Sequence, residues 1–168
     1  MTVIGHGPQE WEEFVLDELF DFANGINADK SAYGDGIPFA NVLEVVANEG
    51  LTPALIPGRI KLSAPLIARY QVRHGDVLFN RTSETQEEVG LASVYLGDKV
   101  IVFGGFVFRA RPKTKRLDIM YSKYALRAHG VRKQIIALGV VPAKVVDEGR
   151  HWGQAVERGV WSAVIVGP

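Results

Sequence analysis

The 168-residue sequence contains no cysteine. This absence excludes disulfide bonds, thiolate zinc sites and cysteine nucleophiles. The sequence also lacks a long apolar run, because no stretch approaches the ~18 apolar residues that a membrane helix needs. The N-terminal "MTVIGHGPQEWEEF" has neither the basic region nor the apolar run of a secretory signal. We therefore expect a water-soluble, cytoplasmic protein.

Sequence motifs for catalysis are missing too. None of the four histidines stands at metal-ligand spacing from another or from a carboxylate pair, and there is no Gly-x-Ser-x-Gly, His-Glu-x-x-His or Walker motif. Asp76 before a strand is the one hint of a metal-dependent nuclease. Such a site needs an acid and a lysine two residues apart on the next strand, whereas Asp98 and Lys99 are adjacent in a turn. We expect no catalytic residues, no metal and no cofactor, and keep the nuclease as a weak alternative.

Apolar residues make up 47% of the chain, which is enough for one domain spanning residues 1–168. Short apolar runs separated by glycine, proline and asparagine predict strands, while helical patterns appear only late in the chain. The predicted class is α+β, with a bent, mainly antiparallel sheet or half-barrel followed by one or two helices.

The individual elements are predicted as follows. "WEEFVLDELFDFANG" indicates a strand, a helical turn and a second strand, and "ANGINADKSAYGDGIPF" a long loop or irregular hairpin. Further strands are expected in "FANVLEVV", "RIKLS", "GDVLFN", "GLASVYLG" and "VIVFGGFVFRARP", the last with a bulge or bend at Gly104-Gly105. One helix runs from an Asp118 N-cap to a Gly130 stop and a second ends at Gly139. A final strand lies in "VWSAVIV", and residues 140–160 are poorly patterned.

The charge is distributed unevenly along the chain although the net charge is zero. Residues 1–50 contain ten acids and one base, and residues 109–133 contain nine bases and one acid. A basic segment interleaved with Tyr121 and Tyr124 suits a polyanion such as the DNA backbone. A solvated surface remains the plain alternative. A second alternative is a protein-interaction module whose basic face docks an acidic partner.

The loop after "GDVLFN" is unusually rich in hydrogen-bonding side chains. Asn and Gln read adenine edges, Arg reads guanine or binds phosphate, and Ser and Thr serve either use. A rigid strand that leads into "NRTSETQ" would present such groups on a firm base. An ordinary polar hairpin loop is the alternative interpretation.

Together, "YQVRHGDVLFNRTSETQEEVGLASVY" and "FGGFVFRARP" resemble the target recognition domain of the specificity (S) subunit of type I restriction-modification systems. "FANGINADKSAYGDGIPFANVLEV" upstream and "YSKYALRAHGVRKQIIALG" downstream resemble its asparagine-glycine loop and its paired helices, so the resemblance covers roughly residues 11–139. A complete subunit has two recognition domains joined by long helices, whereas this chain has one domain and no heptad stretch. We therefore expect half of such a subunit, or a fragment.

The resemblance implies a non-catalytic reader of duplex DNA that recognises one half of a bipartite site. Its implied partners are a methyltransferase subunit, a restriction subunit and a second recognition domain. The motif carries over Asn80, Arg81, Thr82 and Ser83, with Asn24 and Gly25 in the first loop. The complete set of DNA-binding residues predicted from the sequence is Asn24, Lys30, Asn80, Arg81, Thr82, Ser83, Thr85, Gln86, Arg109, Arg111, Lys113, Lys115 and Arg116.

Overall fold

The computed structural model describes residues 12–81, 85, 87–139 and 164–166. Among these residues the five α-helices are α1 (Leu16–Leu19), α2 (Val42–Ala47), α3 (Ala64–Tyr70), α4 (Ile119–Ala125) and α5 (His129–Gly139), and two 3-10 turns lie at Lys30–Ala32 and Pro53–Leu55. The strands of the same residues are β1 (Glu12–Phe14), β2 (Phe20–Asn24), β3 (Tyr33–Ala40), β4 (Gly50–Leu51), β5 (Arg59–Ile60), β6 (Gln71–Val72), β7 (Val77–Asn80), β8 (Ala92–Tyr95), β9 (Ile101–Phe103), β10 (Val107–Pro112) and β11 (Val164–Val166).

The strands form two main sheets and one small ribbon. The five-stranded sheet has the order β2-β10-β7-β8-β4, the four-stranded sheet has the order β5-β3-β9-β6, and β1 pairs with β11. Only β3 with β9 and β4 with β8 are parallel among the strand pairs of the described residues. The predicted α+β class with a mainly antiparallel, bent sheet is therefore confirmed.

The core lies on both faces of the five-stranded sheet, because successive side chains of a strand point to opposite faces. Val77 and Phe79 of β7 pack with residues of α1, α4 and α5 in one apolar cluster. Leu78 between them packs with Ile101 and Phe103 of β9 in a second cluster, which joins the two sheets. The fold thus has three layers, with the five-stranded sheet between these helices and the four-stranded sheet. β7 is a strand of this middle sheet and is buried along its whole length.

Most of the predicted elements are confirmed. The strand, turn and strand in residues 12–24, the strands β5, β7 and β8, and the second late helix ending at Gly139 are all present. The bend at Gly104-Gly105 separates β9 of one sheet from β10 of the other. The predicted long loop is confirmed only in part, because a helical turn forms at Lys30–Ala32 and its residues 33–39 belong to β3. No helix of the described residues is long and apolar enough to cross a membrane.

Three element predictions are wrong. Helices were expected only late in the chain, but α3 forms at Ala64–Tyr70, with Pro65 in its first turn, where proline is tolerated. "FANVLEVV" is not a strand, because β3 ends at Ala40 and α2 begins at Val42. Glu44 accepts a hydrogen bond of 2.8 Å from the backbone N–H of Asn41, so the Asn-x-x-Glu spacing caps a helix and overrides the β-branched composition. Gly130 does not end the first late helix. That helix ends at Ala125, and Gly130 is the second residue of α5.

Candidate nucleic-acid interface

The polar loop predicted to read DNA extends from one end of the five-stranded sheet. At this end β7 finishes, β10 begins and β2 finishes, since Asn80 is opposite Val107 and Asn24 is opposite Phe108. The side chains of Asn24 and Thr85 are exposed, and Arg81 is half-buried. We call this region the loop end of the sheet. It consists of residues 81–89, Asn24 and the turn before β10.

Both ends of the loop are fixed to the sheet. The backbone N–H of Asn80 donates to Leu91 O at 2.9 Å, and its carbonyl accepts from Gly90 N at 2.9 Å. The Asn80 side chain is fully buried and donates through Nδ2 to Glu88 O at 3.0 Å. Gly90 closes the loop with φ of 63°, a left-handed conformation that favours glycine. Asn80 therefore holds the loop in place and leaves the set of DNA-contacting candidates.

Arg81 is engaged with the turn that precedes β10. Its backbone N–H donates to Phe106 O at 2.9 Å and its Nη1 donates to Gly105 O at 3.2 Å. Its guanidinium carbon also lies 5.3 Å from the centroid of the Phe108 ring. Arg81 was predicted to read bases, but its described contacts give it a positioning role, in which it fixes the turn.

This turn carries a residue that the sequence interpretation missed. Phe106 was assigned to the strand, but it lies in the turn before β10 and is 58% exposed. The signal was available in the preceding Gly104-Gly105. A Cβ on Gly105 would lie 2.0 Å from Asn27 Oδ1, and a Cβ on Gly25 would lie 2.0 Å from Gly104 O, so glycine permits this close approach of the two segments.

Arg109 and Arg111 were predicted to contact DNA, but they join the two sheets. Arg109 Nη1 donates to Gln71 O at 2.5 Å, and Arg111 Nη2 donates to the same oxygen at 3.2 Å. Arg111 also forms a bidentate ion pair with Asp76, with Nε to Oδ1 at 3.0 Å and Nη2 to Oδ2 at 2.7 Å. Both arginines are half-buried and hold internal contacts, and their predicted DNA contacts stay predictions.

The same ion pair removes the carboxylate on which the nuclease alternative rested. Asp76 is 2% exposed, and its Oδ2 also accepts from Arg73 N at 2.9 Å. A catalytic carboxylate has to face a metal or a substrate, whereas both oxygens of Asp76 face the protein. The described residues contain no group of three or more acids or histidines that could hold a metal ion.

Two further arginines of the basic segment are structural. Arg127 donates to backbone carbonyls of β8 and of the C-terminal end of α2. Arg132 is 8% exposed and donates through Nη2 to Glu87 O at 2.7 Å, so it fixes the far end of the polar loop from α5. Four of the nine bases counted between residues 109 and 133 thus make internal contacts, and the excess of bases overstates the positive surface.

Burial acts on the pKa values of these arginines in a consistent direction. It lowers the pKa of Arg109, Arg127 and Arg132 below the usual range of a guanidinium. For Arg111 the hydrogen bond to the Asp76 side chain dominates and raises the pKa. Because a guanidinium titrates so far above neutrality, all four remain cationic and their charge-assisted contacts persist.

The remaining predicted bases lie away from the loop end. Lys113, Lys115 and Arg116 are exposed and follow the opposite end of β10, where Lys113 N donates to Leu19 O at 2.8 Å. We call residues 113–116 the basic turn. Six residues of extended strand separate it from Val107, or about 20 Å. Lys30 is exposed on the helical turn between β2 and β3.

Acidic and aromatic neighbours accompany the basic turn. Lys113 Nζ lies 3.8 Å from Asp21 Oδ1, and the guanidinium of Arg116 lies 4.9 Å from the centroid of the Phe14 ring. The pair of Lys113 with Asp21 is exposed and contributes little, so a phosphate could compete for this lysine. Thr82, Ser83 and Gln86 lie outside the described residues, and their predicted contacts stay predictions.

Comparison with solved structures identifies this arrangement of sheets and helices. The chain matches a structure described as "Crystal structure of HsdS subunit from Thermoanaerobacter tengcongensis" with a TM-score of 0.51 over 94% of its length, at 17% sequence identity. It has the fold of part of a type I S subunit. A second S-subunit match, from a study of "complex assembly and conformational transition of the type I R-M system", gives a TM-score of 0.51 at 16% identity, also over 94% of the chain.

The similarity to known proteins lies in the fold alone, because the sequence matches no known family or curated protein. No family model matches the chain, and no curated protein does either. The chain spans 39% and 44% of the two matched structures. The S-subunit resemblance noted in the sequence and the similarity of fold thus agree, and they extend over less than half of the longer proteins.

Proposed function

We propose that this chain recognises duplex DNA in a sequence-specific manner, reading one half of a bipartite site as the specificity component, or part of it, of a type I restriction-modification enzyme. It acts in the cytoplasm and is not itself catalytic. Its partners are a methyltransferase subunit, a restriction subunit and a second recognition domain. The S-subunit fold supports this assignment.

The observation that carries the proposal is the construction of the loop end. A polar loop is fixed at one end by buried Asn80 and at the other by Arg132, while Thr85 remains exposed between them. Anchored loop ends lower the entropy lost when side chains engage base edges, which favours selective contacts. Phe106 contacts Arg81 at the start of the loop, and Asn24 lies at the same end of the sheet, so an aromatic ring and a hydrogen-bonding group accompany the loop.

The alternative of a module that docks an acidic protein partner loses its main support. It required a broad basic face, but Arg109, Arg111, Arg127 and Arg132 are occupied by internal contacts. The exposed bases of the basic turn are too few to define such a face without a further observation.

The proposal is tested with the full-length protein assembled with its methyltransferase subunit. A duplex selected by that complex from a random-sequence library serves as the cognate site, and a scrambled duplex of the same composition serves as the comparison. We expect Thr85→Ala and Gln86→Ala to cost about 1–3 kcal/mol on the cognate duplex and little on the scrambled one. Lys133→Ala, at an exposed position of α5, is the matched surface control.

Two outcomes would contradict parts of the proposal. Selection that enriches no sequence would reject sequence-specific recognition altogether. Equal losses on both duplexes would mean that the loop is a phosphate clamp. The isolated chain, which lacks its partners and has no net charge, should bind only in the non-specific range of about 10⁻⁴–10⁻⁶ M at physiological salt.

A further inference from the structure

Phe106 differs from the other phenylalanines of the chain in its exposure. The structure describes all eight of them, and Phe106 alone is exposed, at 58%. A single exposed apolar side chain is ordinary on a protein surface and needs no special explanation. The reason to consider Phe106 further is the rigidity of the turn that presents it.

Backbone hydrogen bonds hold this turn from several sides. Gly104 N donates to Ala40 O at 3.0 Å, and Gly105 N donates to Ile26 O at 2.9 Å. The Nη1 of Arg81 donates to Gly105 O at 3.2 Å, and the backbone N–H of Arg81 donates to Phe106 O at 2.9 Å. The turn is therefore tied to segments of both sheets, and the ring projects from a fixed base.

The close packing of glycines strengthens this constraint. A Cβ on Gly25 would lie only 2.0 Å from Gly104 O, so the segment after β2 presses directly against the turn. The side chain of Asn27 occupies the space beside Gly105. An aromatic side chain on a backbone held in this way loses little conformational entropy when a flat partner stacks on it, because it has only two side-chain torsions.

The surroundings of the ring suit a nucleic-acid base. Asn24 pairs with Phe108 in the sheet, and the Asn27 side chain lies beside Gly105, so two exposed asparagines stand on segments next to the turn. Every base has a π-face, and stacking on an aromatic side chain contributes about 1–3 kcal/mol per base, independently of hydrogen-bond readout. Proteins also insert apolar side chains at base steps, which unstacks them locally.

We propose that the Phe106 ring stacks on a base at a locally unstacked step of the bound duplex, with Arg81 as the positioning residue that holds its turn. This inference rests on the proposed DNA recognition. It assigns to Phe106 a DNA contact that needs no hydrogen bond to a base edge. It also assigns to Arg81 the role of holding the turn, in place of hydrogen bonding to a base.

The test places 2-aminopurine at each position of the cognate duplex in turn and measures its fluorescence in complex with the full-length protein and its methyltransferase subunit. A base flipped by the methyltransferase subunit responds in every variant. We expect a further responding position with the wild-type protein and its loss with Phe106→Ala. Affinity for the cognate duplex should fall roughly 5- to 150-fold with Phe106→Ala. Phe106→Trp should retain affinity within about threefold, because indole also stacks.

Matched controls separate the possible outcomes. Leu43→Ala removes an exposed apolar side chain, 79% exposed, from α2, which no argument places at the DNA, and should leave both readouts unchanged. Arg81→Lys should lower the fluorescence response, since lysine lacks the guanidinium that donates to Gly105 O and lies over the Phe108 ring. An unchanged urea midpoint for Phe106→Ala excludes a folding defect.

A wild-type protein with cognate preference and a Phe106→Ala variant with the same fluorescence and affinity would overturn the stacking proposal and leave DNA recognition intact. A wild-type protein without any cognate preference would instead reject the proposed function on which this inference depends.

Discussion

Substitution of Arg127 distinguishes an arginine that stabilises the fold from one that binds DNA, because the first lowers the free energy of unfolding and the second lowers the affinity for DNA. Its Nε donates to Ala92 O at 2.6 Å. Its Nη2 donates to three carbonyls at the end of α2, those of Val45 at 2.7 Å, Val46 at 3.2 Å and Asn48 at 2.9 Å. The last carbonyls of a helix have no partner within the helix, and a cation there also interacts favourably with the helix dipole. Arg127 therefore caps α2 and fastens it to β8.

The magnitude follows from the two nitrogens that make these contacts. A hydrogen bond that involves a charged group contributes about 1.5–3 kcal/mol. The four carbonyls share one side chain, so their contributions do not add fully. We expect Arg127→Ala to lower the free energy of unfolding by about 3 kcal/mol. At about 2–4 °C per kcal/mol for a chain of this size, this corresponds to a fall in Tm of roughly 6–12 °C.

Urea unfolding of the full-length protein measures this loss directly. Arg127→Lys should lose less than Arg127→Ala, since lysine keeps the charge at the end of α2 but cannot span α2 and β8 with a planar fork. The control is Lys133→Ala, an exposed base of the same segment, which should stay within about 0.5 kcal/mol of the wild type. If Arg127→Ala unfolds like the wild type and loses affinity for DNA instead, Arg127 is a phosphate contact and the capping argument is wrong.

Three other predictions concern the loop, the core and the basic turn. Asn80→Ala should cost about 1–3 kcal/mol in urea unfolding, because Glu88 O loses its buried donor; a stability equal to that of the wild type would return Asn80 to the DNA-contacting candidates. Burial raises the pKa of Tyr95 above 10.0, so this tyrosine ionises at a lower pH in the unfolded state than in the folded state. The free energy of unfolding should therefore fall as the pH rises above 10.0, and Tyr95→Phe should reduce this slope. Alanine in place of any one base of the basic turn should lower the salt slope of DNA binding by about one unit, equally on cognate and scrambled duplexes, and an unchanged slope would exclude this turn from the interface.

The short elements could be predicted because their local signals agree with the fold. β7 is apolar at every position before Asn80 since both of its faces are buried. Asp118 begins α4 as predicted, accepting a bond of 2.9 Å from Tyr121 N. The error at α2 arose because three valines suggested a strand, whereas the capping pair Asn41 and Glu44 decided the local structure.

The candidate site was less predictable, because long-range contacts decide which polar side chains face water. Arg111 contacts Asp76, 35 residues away, and Arg127 contacts Val45, 82 residues away. No local pattern distinguishes such arginines from exposed ones. Phe106 illustrates the opposite error, since it was included in the strand predicted for "VIVFGGFVFRARP", whereas it lies in the turn after Gly104-Gly105 and β10 begins only at Val107.

The separation of the two surface clusters constrains how a duplex can lie on the domain. The loop end and the basic turn are about 20 Å apart along β10. At 3.4 Å per base pair, this span covers about six base pairs of B-DNA. A duplex that follows β10 could contact Phe106 and Thr85 near one end of a half-site and the basic turn near the other. A duplex that crosses the sheet would contact only the loop end, and the salt slope would then be insensitive to the basic turn. The substitutions in the basic turn therefore report the orientation of the DNA as well as its affinity.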